Sequence, residues 1–480
     1  MTKCSHGLAM PADGQTEGML PPRLLMSSTL LAVALPVLLL GGSGSIAGAA
    51  ASAPALLLEG RGHGHGVGLT HDGALELGRR GESAEQILAR FYPGTTIGTA
   101  RLTARVLVHD SASPSGAVLA APSGAMVRPD RGAVPGLPLE LAPGARLSVS
   151  TAGSVVTATV PGHAVRPRVP GLVRITAPGA LLVVPDGVSD IEGGGSYRGL
   201  LRVVSAAGRL RVVNHVDVES YLRGMGEVRD SSWPAASLRA QAVAARGYAV
   251  HAARYAPRDR DFDLYADDRS QVYLGARAEY AAMDRAVLAT TGRVLRHEGL
   301  VANTVYSTNG GGVTATTVEG FGPSELRYPY LAAVRYPTAN ADPWTVRLPH
   351  AKAARLLGYP GRLDALTLLR RGPSGRAVAV RLSGSAGVRD LTGLDVADRL
   401  DLRSTLFDVT LPAGRVAPPP LPRPVLAGSV QAPAPARLAA ASAATVHRQR
   451  PFAAASAALI AAVIGAGVLL GNAPRGRRIS

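Results

Sequence analysis

From residue 98 to residue 215 the apolar positions fall in short, Val-rich runs: ARVLVHD, GARLSVSTAG, SVVTATVPG, GLVRITAPG, ALLVVPDG and LRVVSAAGRLRVVN. Gly or Pro interrupts them roughly every ten residues, and β-branched runs punctuated at that interval predict strands. The pattern changes after residue 230. Residues 235–255 are good helix formers with one internal glycine, Gly247, and Ser231 or Ser232 can cap a helix starting beside Pro234. A second helix is predicted at AEYAAMDRAVLAT, residues 278–290, and strand patterns return at GRVLRHEGLVANTVYS and AVAVRLSG. No repeat of solenoid period is present. The fold class that follows is α+β, with strands dominating and a central helix near the middle of the chain.

Both ends carry a different pattern. Residues 1–53 hold an arginine, an apolar run and then small residues, RLLMSSTLLAVALPVLLLGG to SIAGAAASA, which reads as a secretory signal peptide and leader. Residues 412–451 are rich in Pro and Ala and suit an extended stalk. Residues 452–472 form an uncharged apolar segment long enough for a transmembrane helix. Arg475, Arg477 and Arg478 follow, so residues 473–480 read as a cytoplasmic tail. The expected location is therefore the extracytoplasmic face of the cell membrane, toward the cell wall. The formal charge of +17 raises nucleic acid as a partner. That charge is almost wholly arginine, with Lys3 and Lys352 the only lysines, and aromatic content is 4%. No arginine run alternates with aromatics, so no nucleic-acid partner is expected. The one cysteine, Cys4, precedes the leader, which leaves the body without a disulfide framework or a cysteine-ligated metal.

Residues 60–74, GRGHGHGVGLTHDGA, hold six glycines and three histidines, followed by RRGESAEQILARFYPGTTI. Farther on stand YRG (197–199), NHVDVESYLRGMGEV, SSWPAASLRAQAVAARGYA, SQVYLG (270–275), TTGRVL (290–295), YSTNGGGVT (306–314), YPYLAAV (328–334) and LDLRSTLF (400–407). In this order the segments resemble the SpoIID/LytB family, named for stage II sporulation protein D. Residues 197–411 would then be its catalytic-type domain, residues 98–196 a β-rich region, and residues 54–97 the family's glycine-histidine segment, usually GWGHGVGMSQYGA followed by YYPGT. Two departures stand out. That segment is familiar at the C-terminal end of the domain, so here it is either a rearranged part of the same domain or a separate module. Where many members read Glu-Met-Pro, this chain has Glu227-Val228-Arg229.

The resemblance implies a lytic transglycosylase acting on peptidoglycan glycan strands, those stripped of stem peptides by preference, with no cofactor. It also offers a second role, a non-catalytic glycan-binding activator whose partner is a cell-wall amidase; a metal-dependent hydrolase is a more distant third. Glycosidic cleavage needs a proton on the leaving oxygen. One carboxyl group suffices if the sugar's own C6 hydroxyl closes a 1,6-anhydro ring, and Glu227 is the candidate acid and then base. It should sit on a loop just before a helix, where the dipole favours the carboxylate and burial against Trp233 or Tyr221 must oppose it. Asp217 and Glu219, at i and i+2 in VDVE, are rival carboxylates on one face of a strand, with a solvated edge as their plainer role. Gln241 and Arg246 either hydrogen-bond sugar hydroxyls or an acetamido group, or brace the helix. Ser270, Gln271, Tyr273, Ser307, Thr308 and Asn309 form either a glycan-reading wall or a plain tight turn. His63, His65 and His71 make a metal site conceivable, but the family usually has Trp and Gln in place of the first and third. The glycines more readily bring backbone amides close to a sugar, with His65 as a polar contact.

Overall fold

The computed structural model describes residues 55–410 except 113–115, 165, 185–194 and 323–327. The leader, the stalk, the apolar segment at 452–472 and the tail lie outside the described residues. Among the described residues no helix is long and apolar enough to cross a membrane. The fold is α+β and strand-rich.

The Val-rich runs become two antiparallel sheets that share a core. One has the order Arg168–Pro170, Val155–Thr159, Ala145–Ala152, Gly116–Ala121, Leu181–Val184, Gly195–Tyr197. The other has the order Leu264–Tyr265, Thr103–Ala112, Arg209–Asp217, Leu200–Ala206, Leu172–Thr176, Ala125–Pro129, Leu139–Leu141, with only the short first strand running parallel to its neighbour. Leu119, Val149 and Val156 of the first meet Val127, Val203 and Val212 of the second in one cluster. Ala145–Ala152 alternates between exposed and buried positions, as a strand with one solvated face must. Thr103–Ala112 is buried at nearly every inner position, because a helix covers its other face. Its pairing with Arg209–Asp217 runs past residue 196, so the β-rich region and the segment after it share a sheet.

We number the first five helices α1 (His71–Arg79), α2 (Ala84–Phe91), α3 (Val218–Arg223), α4 (Ala235–Tyr255) and α5 (Ala281–Ala289). The central helix α4 is wedged between two cores. Leu238, Ala242, Ala245 and Ala249 face the sheet core, while Ala240, Val243 and Ala244 face a second cluster with Leu77, Ile87 and Phe91 from α1 and α2. A helix packed on both sides has room only for small side chains, which explains its alanine richness. Its start differs from the serine cap expected from the sequence. Pro234 occupies the cap position with no side-chain bond, and Ser232 N–H is taken by Asp230 Oδ1 at 2.8 Å. The second predicted helix is shorter than expected, with Ala276–Ala278 forming a 3₁₀ turn before α5.

The VDVE stretch also differs from expectation. Asp217 is the last strand residue, and its Oδ1 accepts from the N–H groups of Glu219 and Ser220, both at 3.1 Å. That cap turns the chain into α3, so Asp217 and Glu219 do not share a strand face.

Strand Ala55–Arg61 lies between Pro343–Pro349 and Phe407–Thr410 in a three-stranded sheet. This pairing delivers the glycine-histidine segment to the far loop. His63 bridges Asn309, Val67 bridges Ala315, and Leu69–Thr70 pairs in parallel with Tyr306–Ser307. The segment is therefore built into the same body as the residues that follow YRG. Two glycines make this possible. Gly68 has φ +74°, and a Cβ there would run into the carbonyl oxygen of Val305; Gly66 has φ +73°, and a Cβ there would meet the Arg376 guanidinium. A backbone obstacle cannot move aside as a side chain can. Gly68→Ala is expected to lower stability by about 3 kcal/mol or more, read as a fall in thermal midpoint, with a smaller loss for Gly81→Ala, whose Cβ position is open.

Candidate functional site

Glu227 is placed by backbone pairing. After α3 closes at Gly224, the turn from Gly224 to Glu227 lies against residues 272–274. Gly226 N–H donates to Val272 O at 2.8 Å, and Leu274 N–H to Gly224 O at 2.9 Å. Val272 N–H then donates to Glu227 Oε1 at 2.8 Å. Seven residues separate Glu227 from the start of α4, so its carboxylate is held by Val272 and by the Tyr306 hydroxyl, not by a helix end.

Tyrosines surround this acid. Gln271 Nε2 donates to Tyr306 Oη at 2.8 Å, and Tyr221 Oη donates to Gln271 Oε1 at 2.9 Å. The Glu227 charge is also felt by Tyr221, Tyr248 and Tyr306, whose phenols are all raised above the usual range, chiefly by burial. Burial likewise pushes the half-buried Glu227 up to about 7, helped by the charge of Asp268 and opposed by Val272 N–H and Tyr306 Oη. A carboxyl group poised there exchanges a proton near neutrality.

On the other side of Tyr306 lies a second polar pair. The His71 ring is 5.4 Å from the Tyr306 ring and 6.1 Å from Trp233. Gln241, buried on α4, is its polar neighbour, and burial holds His71 down at about 4, hence neutral. His71 and Gln241 approach as a hydrogen-bonding pair, although among the described residues neither His71 Nε2 nor either amide atom of Gln241 makes a bond of full geometry. Gln241 is the side chain that hydrogen-bonds His71 and partly offsets its burial, so the two polar groups meet each other at the edge of the cluster.

The other residues singled out in the sequence divide clearly. Gln271 supports Tyr306. Ser270 Oγ accepts from Tyr265 N–H at 3.1 Å and is a neighbour of the Tyr248 hydroxyl. Tyr273 is buried between Tyr197 and Tyr221, its hydroxyl bonded to Asn214 Oδ1 at 2.8 Å. Ser307 Oγ is buried and has no hydrogen-bond partner among the described residues, but the strand alternation turns it from Tyr306 toward Gly64. Asn309 braces the loop: its side chain donates to Asn340 O at 2.9 Å and accepts from Gly311 N–H at 2.8 Å. Arg246 lies away from solvent and holds Glu219 at 3.0 and 2.6 Å, so it braces the helix.

The three histidines go to three places. His63 meets Arg403 at 3.3 Å. His65 Nδ1 accepts from Val67 N–H at 3.0 Å and its ring lies 4.8 Å from Phe321, so it shapes the turn and contacts the backbone of Tyr306, not its ring. His71 alone joins the Glu227 cluster. Sequence reasoning weighed His71 only as a conceivable metal ligand and left Tyr248 and Tyr306 out of the site. Tyr306 heads the YSTNGGG motif, and the departure from the family's usual Gln at position 71 was the available signal for His71.

A carboxylic acid raised toward neutrality and walled by phenols is a group that can exchange a proton with a bound molecule near neutral pH. Residues 206–297 match the family model described as SpoIID, Stage II sporulation protein, so this segment is similar to that family. The match holds Glu227, Gln241 and Gln271 but not His71 or Tyr306. It is consistent with a role at the cell wall. An uncharacterized protein of Brachyspira hyodysenteriae is 32% identical over 152 residues, which are 31% of this chain and 40% of that protein; the chain thus spans less than half of the relative's length. No solved structure matches the chain significantly.

Proposed function

We propose that the protein is an exported lytic transglycosylase of peptidoglycan glycan strands, with Glu227 as its acid and base. The observation that carries this reading is the raised, half-buried carboxyl of Glu227 beside Tyr306 and the His71–Gln241 pair. Protonated Glu227 gives its proton to the glycosidic oxygen as the C1–O bond breaks. The C6 hydroxyl of the same sugar attacks C1, and its proton passes to the Glu227 carboxylate. The product ends in a 1,6-anhydro ring, no water is consumed, and the acid is regenerated.

The test is mass spectrometry of purified, denuded glycan strands incubated with the full chain. Anhydro-ended products support the reading. Intact strands that nevertheless capture the protein would replace it with the amidase-activating role. The pH profile gives a second check. Tyr306 hydrogen-bonds the charged form of Glu227, and such a bond is worth about 1.5 kcal/mol or roughly one pH unit. Tyr306→Phe is therefore expected to move the alkaline limb of kcat/KM upward by about one unit, measured as initial rates from pH 5 to 9.

A further inference from the structure

The glycine-histidine segment covers a second group of donors, away from Glu227. Arg376 is fully buried, and its Nη2 donates to Gly310 O at 3.0 Å. Its Nε and Nη1 have no hydrogen-bond partner among the described residues. Glu319, the acid whose charge Arg376 feels, is engaged elsewhere. Its Oε1 accepts from Ser374 N–H and Oγ at 2.9 and 2.6 Å, and its Oε2 from Thr316 N–H and Oγ1, both at 2.9 Å. Asp72 accepts from Tyr336 Oη at 3.1 Å. A second cation, Arg61, donates to the next carbonyl of the loop, Gly311 O, at 3.0 Å, and its charge opposes that of Arg376. Arg246 shows the contrast: equally buried, but held by Glu219 at 3.0 and 2.6 Å. Burial lowers Arg376 only to about 10, so it stays charged. Its neighbour registers that charge, since burial first and Arg376 next hold His65 down at about 4.

Ser307 adds a third donor, its buried Oγ having no partner among the described residues. Gly64 lies against Ser307 and Gly66 against the Arg376 guanidinium, with the His65 turn between them. A Cβ at Gly64 would meet only Ser307 Cβ, at 4.0 Å, so the backbone leaves room at that point. A water molecule accepts from such donors but needs acceptors for its own hydrogens. Of the three unpartnered atoms only the serine oxygen can accept. An anion accepts from all of them, and bonds from a charged donor are the strong ones. We propose that Arg376 and Ser307 bind a small monovalent anion, chloride, behind the glycine-histidine segment. Both residues are closed off from solvent, which favours one compact ion over phosphate or sulfate. The anion completes the arginine that holds Gly310, four residues after Tyr306, and so steadies the loop that carries the wall of the Glu227 cluster. The site is independent of the glycan reading.

The experiment follows the thermal midpoint of the full chain as sodium chloride replaces sodium gluconate at constant ionic strength. The midpoint should rise by about 3 °C between roughly 2 and 200 mM chloride and then level off, because the ion binds the folded state alone. Bromide should act in the same way. Arg376→Met, which keeps the volume and drops the charge, should fold and show no chloride dependence. Ser307→Ala should move the half-maximal chloride concentration up by about fivefold, the worth of one hydrogen bond. In gluconate its midpoint should equal or exceed that of wild type, since an unsatisfied buried hydroxyl has gone. A crystal soaked in bromide should show anomalous signal beside Arg376 Nε and Nη1. A wild-type midpoint that ignores chloride, an equal rise in wild type and Arg376→Met, or water in place of bromide would each overturn the site. Should Arg376→Met not fold, the Ser307→Ala shift and the bromide position decide the matter by themselves.

Discussion

Replacing Glu227 by Gln is expected to cut the yield of anhydro-ended product by about a thousandfold, the scale of a lost general acid, while the protein becomes more stable at alkaline pH. The second effect follows from the same burial as the first. The Glu227 carboxyl is raised from 4.5 to about 7 in the folded protein, so the folded state holds its proton more tightly than the unfolded chain does. Its contribution to stability is fully present below pH 4.5 and is lost as pH rises through 7. A difference of that size corresponds to about 3 kcal/mol. The wild type should therefore lose thermal midpoint across this window relative to Glu227→Gln, whose side chain does not titrate. Melting curves of both proteins at pH 4.5, 6, 7 and 8 check this. A constant difference between the two proteins would mean that Glu227 is not held in its protonated form. Rate measurements check the other limb: wild-type kcat should fall as pH rises through 7, because the form that loses activity is the deprotonated acid.

How much of this was legible in the sequence depends on the range of the interaction. The Val-rich runs read as strands and the 235–255 stretch as a helix because alternation and helix propensity are local. Glu227 was singled out as the candidate acid through the family likeness, and its loop through Gly224 and Gly226. What failed were features set by distant partners. The glycine-histidine segment reaches the site because Ala55–Arg61 pairs with strands beginning at Pro343 and Phe407, and no periodicity near residue 60 encodes that. Glu219 read as a strand-edge carboxylate because nothing in VDVE shows that Asp217 caps a helix there. Arg246 read as equally fit for a sugar or a brace, since its partner is 27 positions earlier in the chain. His65 drew attention by its glycines, yet the turn that those glycines permit points its ring to Phe321. Tyr306, the residue that links the acid to the polar pair, was masked by the more conspicuous glycines after it.

The Arg246–Glu219 pair carries the other large expected effect, and it separates structure from chemistry among the carboxylates. Arg246 is fully buried and Glu219 is 26% exposed at its side chain. Two hydrogen bonds, at 3.0 and 2.6 Å, join them. Gly292 N–H adds a third donor to Glu219 at 3.0 Å, and Arg246 Nη1 reaches Arg293 O at 3.0 Å. The pair thus ties α3, α4 and the start of strand Arg293–His297 together. Glu219→Gln keeps the shape and removes the anion, leaving a guanidinium buried without its counter-charge. The expected cost is about 3–5 kcal/mol, seen as a lower midpoint in denaturant. Replacing both members, Glu219→Leu with Arg246→Met, should recover most of that loss, because an apolar pair of similar volume has no charge to desolvate. The decisive readout is the pH dependence of the surviving activity. In Glu219→Gln its alkaline limb should stay near 7, where Glu227 sets it; a limb that moved or vanished would make Glu219 part of the proton transfer and Glu227 one of two acids.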